Sequence, residues 1–237
     1  MFQSNKKYID FLIQSGVHTF LKETPNNLLE TKELKEKSLK KKDIKALEEI
    51  NEIKELISLI SNHPSALKKT AKKLVLYDGD LESKLMIIGE APGQEEDEQG
   101  VPFGGRASQL LDKMLSAIKL ERKNVYITNV LPWRPPQNRI PTDQEILDFL
   151  PFLQKQIEII KPKFIYLLGT TAIKAILSTP LSLKKLRGKW HEYKSVNFDT
   201  PINVLASYDP AFLLKSPNFK KEAWADLQML EKKINEN

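Results

Sequence analysis

A mostly parallel β-sheet covered on both faces by helices, preceded by a helical N-terminal extension, is the fold class the sequence predicts. Three observations carry it. Four short, nearly continuous apolar runs begin at Lys84, Asn124, Phe164 and Ile202: KLMIIGE, NVYITNV, FIYLLGT and INVLASY. Strands apolar on both faces belong to sheets buried on both faces, which are typically parallel. Helix-patterned segments separate the runs: ASQLLDKMLSAI, DQEILDFLPFLQKQIEII and TAIKAILS, with KEAWADLQMLEKKIN closing the chain. Roughly the first 80 residues differ in composition, being dense in Lys and Glu.

The elements follow in order. NKKYIDFLIQSGVHTFL, from Asn5, predicts a short helix, and residues 22–43 read as a linker. Leu47, Ile50, Ile53, Leu56, Ile57 and Ile60 recur at helical spacing, so they form one stripe expected to pack on the main domain. The organisation expected is a Lys/Glu-rich helical extension over 1–60 and one α/β domain over 61–237. In the second helix of the domain, Thr142 and Glu145 form a capping box behind Pro141. Pro151 lacks an N–H and is expected to kink or divide that helix.

Charge and composition bound the function. Lys and Arg number 37 against 31 Asp and Glu, a net charge of +6 with pI about 9.2. That balance favours a polyanionic partner. The chain contains no cysteine, which excludes disulfides, Cys-ligated zinc and Cys-ligated iron–sulfur clusters. Its three histidines, His18, His63 and His191, do not lie at metal-ligand spacing, and no metal site is expected. No apolar run reaches membrane-spanning length, and the N-terminus lacks a signal-type apolar core. The expectation is a soluble, cytoplasmic monomer without a membrane partner.

Ligands in open parallel sheets sit at the carboxyl ends of the strands. The unusual residues of this chain fall there. Gly89-Glu90-Ala91-Pro92-Gly93 follows the first run, Asn129 ends the second, Gly169-Thr170-Thr171 follows the third, and Tyr208-Asp209-Pro210-Ala211 the fourth. GEAPG alone is as compatible with a structural turn as with a site. Three motifs in order are more specific. GEAPGQEEDEQGVPFGGRASQLLDKML, VYITNVLPWRPPQNRIPT and YDPAFLL together resemble the family 4 uracil-DNA glycosylases, over roughly residues 60–232.

The resemblance implies the α/β/α sandwich of the uracil-glycosylase superfamily and hydrolytic removal of uracil from DNA in base excision repair. Such an enzyme extrudes its base and reads the base's Watson–Crick edge in a tight pocket. Phe103 matches the family's uracil-stacking aromatic; a Phe beside two glycines in a polar loop is a poor core candidate. Asn129 matches the base-reading amide, which can donate to uracil O4 and accept from N3–H. Glu90 stands where the family places a carboxylate near the sugar and the attacking water, with Ala91 beside it in the pocket. Glu96 and Asp97 match an acidic pair, Glu96 lining the pocket near uracil C5. Glu95 and Glu98 are expected to be solvated. Arg106, Arg134, Arg139 and the cations of KKLRGKW (Lys185, Arg187 and Lys189 among them) are phosphate-contact candidates. Leu213 and Leu214 match the apolar wedge that fills the vacated stack.

Two departures stand out. The four positions where most of the family carries cluster-ligating cysteines hold Asn62, Ser65, Trp133 and Phe149. No cofactor is therefore expected, and packing of the two aromatics is expected to fill the cluster's volume. The last motif begins with Asp209 instead of the family's histidine. An ionised aspartate only accepts hydrogen bonds and repels a base leaving as an anion. A catalytically weak uracil- or DNA-binding module, related to phage-type polymerase-associated domains, is the alternative function. His191 is expected in a turn beside the DNA.

Overall fold

A computed structural model of the chain describes residues 47–236. The helix and linker expected before residue 47 lie outside the described residues. The sheet has six strands in the order β1-β3-β2-β4-β6-β5. They are β1 (Tyr77–Gly79), β2 (Leu85–Gly89), β3 (Tyr126–Asn129), β4 (Phe164–Leu168), β5 (Trp190–Tyr193) and β6 (Ile202–Ser207). The four expected strands, β2, β3, β4 and β6, are mutually parallel. The short edge strands β1 and β5 run antiparallel to their neighbours. Trp190 and His191 thus lie in an edge strand, not in a turn. They stand opposite Leu205 and Val204 of β6, and His191 Nε2 donates to the Leu186 carbonyl at 2.8 Å.

Alternation along the strands builds two cores. Met86, Ile88, Ile165, Leu167, Val204 and Ala206 face one cluster, while Leu85, Ile87, Phe164, Tyr166, Leu168 and Leu205 face the other. The first is covered by α1 (Ile53–Asn62), α4 (Asp143–Ile160) and α5 (Thr170–Leu177). The second is covered by α3 (Arg106–Ala117) and α8 (Lys220–Asn235). The result is a three-layer α/β/α sandwich. Short helices α2 (Gln94–Gln99), α6 (Leu183–Leu186) and α7 (Pro210–Lys215) sit among the connections.

The stripe at 47–60 is buried: Leu47, Ile50, Ile53, Leu56 and Ile60 join the core that contains Phe149 and Phe152. It is not one helix, because Glu52 is extended and caps a new start at Ile53. In α4 the capping box forms: Glu145 N donates to Thr142 Oγ1 at 3.2 Å, and Thr142 N to Glu145 Oε2 at 2.8 Å. Pro151 does not divide the helix, which runs unbroken through it. Phe149, Phe152 and Leu153 are buried around it, so packing holds the turn that lost a backbone hydrogen bond. No helix among the described residues is long and apolar enough to cross a membrane.

Candidate active site

β2 lies between β3 and β4: the chain passes from β2 to β3 on one side and from β3 back to β4 on the other, a switch point whose carboxyl end is where open parallel sheets place a ligand crevice. Gly89 and Asn129 are register partners there. A Cβ on Gly89 would come within 2.5 Å of both Asn129 Oδ1 and Phe103 Cζ. Only glycine allows the amide and the ring to meet over this backbone. Asn129 is 5% exposed, yet among the described residues nothing hydrogen-bonds its side-chain amide. A buried amide normally has its partners within the fold. Here its donors and acceptor are open among the described residues.

Phe103 is buried, at 6% exposure, and its ring belongs to the core cluster with Leu111 and Ile127. The reading of it as a poor core candidate is corrected: the polar loop folds back and lays the ring against Gly89. Its backbone is in the left-handed region, with φ of 51°.

The acids after the strand divide by role. Glu96 accepts from Gly93 N at 3.0 Å and from Gly105 N at 2.9 Å, stitching the GEAPG loop to the PFGG loop. Glu95 accepts from Arg106 N at 2.9 Å, so it is engaged and not merely solvated. Asp97 is fully buried and accepts from Lys72 N and Lys73 N at 2.7 and 3.2 Å. Glu98 forms a surface ion pair with Lys72 at 3.1 Å. The crowding of acids is thus largely architectural: Glu95 and Glu96 cap N–H groups of the Gly-rich loops, and Asp97 caps those of the segment before β1.

Glu90 faces the crevice differently. Thr171, at the start of α5, donates its hydroxyl to Glu90 Oε2 at 2.5 Å. The chain reaches α5 through Gly169, whose φ of 93° favours glycine; a Cβ there would touch Asp209 Cβ at 3.4 Å. Asp209 caps α7, accepting from Ala211 N at 2.7 Å. Burial, with the negative charges of Glu90 and Glu96 adding to it, pushes its carboxyl up to about 6, against the lowering effect of the Ala211 and Phe212 amides. The ends of β2, β4 and β6 therefore bring two carboxylates and a hydroxyl together, near the ring and amide gathered on β2 and β3. The sequence placed Thr171 among the strand-end residues, in GTT, but assigned it no role.

Several expected DNA contacts are internal. Arg187 donates twice to buried Asp226, at 2.8 and 3.0 Å, and to the Glu222 carbonyl at 2.6 Å. These bonds occupy the guanidinium in fastening the 183–190 segment to α8, so it is not a free phosphate contact. Arg134 is tied to Asn138 at 2.7 Å and lies 3.8 Å from Asp97, with its side chain 19% exposed. Arg139 pairs with Glu145 at 2.6 Å. Leu213 is 1% exposed and packs with Tyr208 and Ala223. The helical turn that buries Leu213 turns Phe212 and Leu214 outward, at 39% and 44% exposure. Arg106, Lys185 and Lys189 are exposed.

The positions of the family's cluster ligands do not fit a cluster. Asn62 donates to the Ser58 carbonyl at 2.9 Å, and Ser65 Oγ accepts from Leu67 N at 3.2 Å. Trp133 and Phe149 are buried in the main core. His63 meets the edges of Phe149 and Phe152, with centroids 5.7 and 5.0 Å away, and Lys68 Nζ lies 5.7 Å from the Trp133 ring. None of the four side chains can supply a thiolate.

Fold and site together define a class: an α/β/α sandwich whose strand ends hold an aromatic ring, an open amide and a carboxylate pair, suited to a flat polar ring. Residues 76–228 match the family model described as the uracil DNA glycosylase superfamily, and the chain belongs to that superfamily. It is similar to the type-4 uracil-DNA glycosylase of Pyrobaculum aerophilum, 36% identical over 185 residues, which covers 76% of this chain and 92% of the relative. The type-4 uracil-DNA glycosylase of Sulfurisphaera tokodaii is 39% identical over 180 residues, 74% of this chain and 80% of its own. A DNA polymerase of Bacillus phage SP01 is 27% identical over 165 residues, 69% of this chain but 17% of the polymerase.

Proposed function

We propose that the chain removes uracil from DNA by hydrolysing its N-glycosidic bond. The single observation that carries this reading is the meeting of the Asn129 amide and the Phe103 ring over Gly89. An extruded uracil stacks on Phe103. Asn129 donates to O4 and accepts from N3–H, a pattern cytosine inverts. Ala91 and Glu96 form the wall of the pocket, Glu96 chiefly by holding two loops in place.

In the reaction, a water oxygen bonds to C1′ as the C1′–N1 bond breaks. The bonding electrons leave with uracil N1. Glu90, held by Thr171, orients that water and faces the positive charge that develops on the sugar. The water's proton passes through a carboxylate to solvent, and the uracil anion takes up a proton from solvent. Arg106, Lys185 and Lys189 meet phosphates, and Leu214 with Phe212 fills the vacated stack in place of Leu213. No iron–sulfur cluster takes part in the fold; the packed aromatics stand at its position.

Asp209 favours a second reading, a uracil- or DNA-binding module with weak catalysis, because an ionised aspartate repels the leaving base. The similarity to one segment of a phage polymerase supports the same reading. Incubating purified protein with a uracil-containing oligonucleotide, followed by alkali, separates the two. Strand cleavage at uracil with multiple turnovers supports the enzyme. Tight uracil-dependent binding without cleavage at any pH between about 5 and 9 supports the module.

A further inference from the structure

Arg122 stands in a short turn before β3, on the far side of Phe103 from the crevice. Its guanidinium has five N–H donors, and all are engaged within the protein. Nε donates to Asp112 Oδ1 at 3.2 Å. Nη1 donates to Asp78 Oδ2 at 2.6 Å and to the Pro102 carbonyl at 3.1 Å. Nη2 donates to the Phe103 carbonyl at 2.7 Å and to Ser108 Oγ at 3.1 Å. No donor is left for a DNA phosphate.

The two carbonyls matter most. Phe103 holds φ of 51°, a region that residues with a Cβ visit sparingly. Such a conformation persists only where its surroundings over-determine it. Here the Pro102 and Phe103 carbonyls point together at one planar cation, which directs the ring of Phe103 the other way, onto Gly89. Asp78 on β1 and Asp112 on α3 fix the plane of that cation from two further elements. A lysine cannot reproduce this, because a point charge lacks the planar fork.

We propose that Arg122 is a positioning residue for uracil excision: by gripping the Pro102 and Phe103 carbonyls, it holds the Phe103 ring where the extruded base stacks. The proposal rests on the reading of Phe103 as the stacking platform. Arg122 itself touches neither base nor DNA.

The test is a double-mutant cycle in single-turnover uracil excision, with urea unfolding of each variant alongside. Arg122→Ala is expected to lower the rate about tenfold or more, and Phe103→Ala at least as much. In the Phe103→Ala background, removing Arg122 is expected to cost no more than about twofold, because its effect runs through the ring. A residue that only stabilised the fold would give independent, multiplying losses. Inhibition by free uracil should weaken in Arg122→Ala, and Arg122→Lys should not restore it. If Arg122→Ala does not fold, Asp112→Ala loosens the same guanidinium from its exposed side. Its loss, about threefold, should likewise vanish beside Phe103→Ala. Multiplying losses with an impaired Phe103→Ala overturn the coupling and leave the pocket reading intact. Unchanged excision in Phe103→Ala overturns the pocket reading and the proposal together.

Discussion

Asp209→Asn tests the electrostatics of the crevice directly. Burial and the neighbouring Glu90 and Glu96 charges raise the Asp209 carboxyl from 3.8 to about 6. A rise of roughly two pH units corresponds to about 3 kcal/mol, at about 1.4 kcal/mol per unit. The native state binds this proton more tightly than the unfolded chain does. The associated stability is therefore fully present below about pH 4 and is lost as pH rises through about 6. Asparagine keeps an oxygen for Ala211 N, so the α7 cap survives, and it carries no charge. Asp209→Asn should then be up to about 3 kcal/mol more stable than the native chain at pH 8, and close to it near pH 4. Urea unfolding of both proteins across that range measures the difference, in which the titrating groups that do not interact with Asp209 cancel. A difference that does not change with pH, or a variant less stable at pH 8, refutes the reasoning.

The same charge acts on catalysis. At about 4 Å and an effective dielectric of about 20, an ionised Asp209 repels a departing uracil anion by about 4 kcal/mol. Excision by the native protein should rise as pH falls through about 6, where Asp209 becomes neutral. Asp209→His should be faster at pH 7.5 by roughly tenfold or more. A neutral imidazole accepts from Ala211 N through Nδ1 and offers Nε2–H to the base. Loss of activity in Asp209→His would show that the carboxylate itself works in the reaction.

Three further outcomes are expected. Asn129→Ala should lose about 1–3 kcal/mol of transition-state stabilisation, and Asn129→Asp should change which base is excised; single-turnover rates on uracil and cytosine substrates check both. Thr171→Val should lower kcat by freeing Glu90, about 1.5–3 kcal/mol for a hydrogen bond to a charged group, and Thr171→Ser should restore it; a Thr171→Val enzyme with native kcat refutes that role. Phe149→Ala should destabilise the fold by about 3–5 kcal/mol in a protein that is colourless near about 400 nm; stoichiometric iron and sulfide in anaerobically prepared protein would contradict this.

What the sequence made legible depended on the kind of signal. β2, β3, β4 and β6 are apolar on both faces, so composition alone located them. β1 and β5 are three and four residues long and mixed in polarity, so nothing local distinguishes them from turns. Glu90, Asn129 and Asp209 fell at strand ends, where topology and motif agree, whereas Phe103, in the loop before α3, was legible from the motif alone. The candidate DNA contacts were harder. Arg187 and Lys185 stand in one cationic segment, and what separates them is Asp226, on another helix. Leu213 and Leu214 are adjacent, and only the helix that Asp209 caps decides which is buried. The acid run was half-read for the same reason: the partners of Glu95 and Glu96 are backbone amides of the following loop, which side-chain chemistry does not reveal.

The aromatic packing at Trp133 and Phe149 shows how one structural task passes between chemistries. In relatives with four thiolates, by the resemblance, a cluster ties the segment after α1 to the loop after β3 and to α4. A metal centre couples such a tie to metal supply, because the binding free energy is also folding free energy. In this chain the same three places remain tied, but by contact. His63 meets Phe149 and Phe152 edge-on, Lys68 lies over Trp133, and Leu56 and Ile60 enter the same core. Apolar contact is less directional than coordination, so it spreads over many side chains and fails in steps, where loss of one ligand can empty a metal site. Because Asn62 and Ser65 hydrogen-bond only within their own turns, the bridging falls to Trp133, Phe149 and their neighbours. Asn129 ends β3 four residues before Trp133, and β3 meets α4 where the Tyr126 and Thr128 hydroxyls reach Gln156 Oε1 at 2.9 and 3.0 Å. The aromatic packing therefore fixes the loop that leaves the strand on which Asn129 stands.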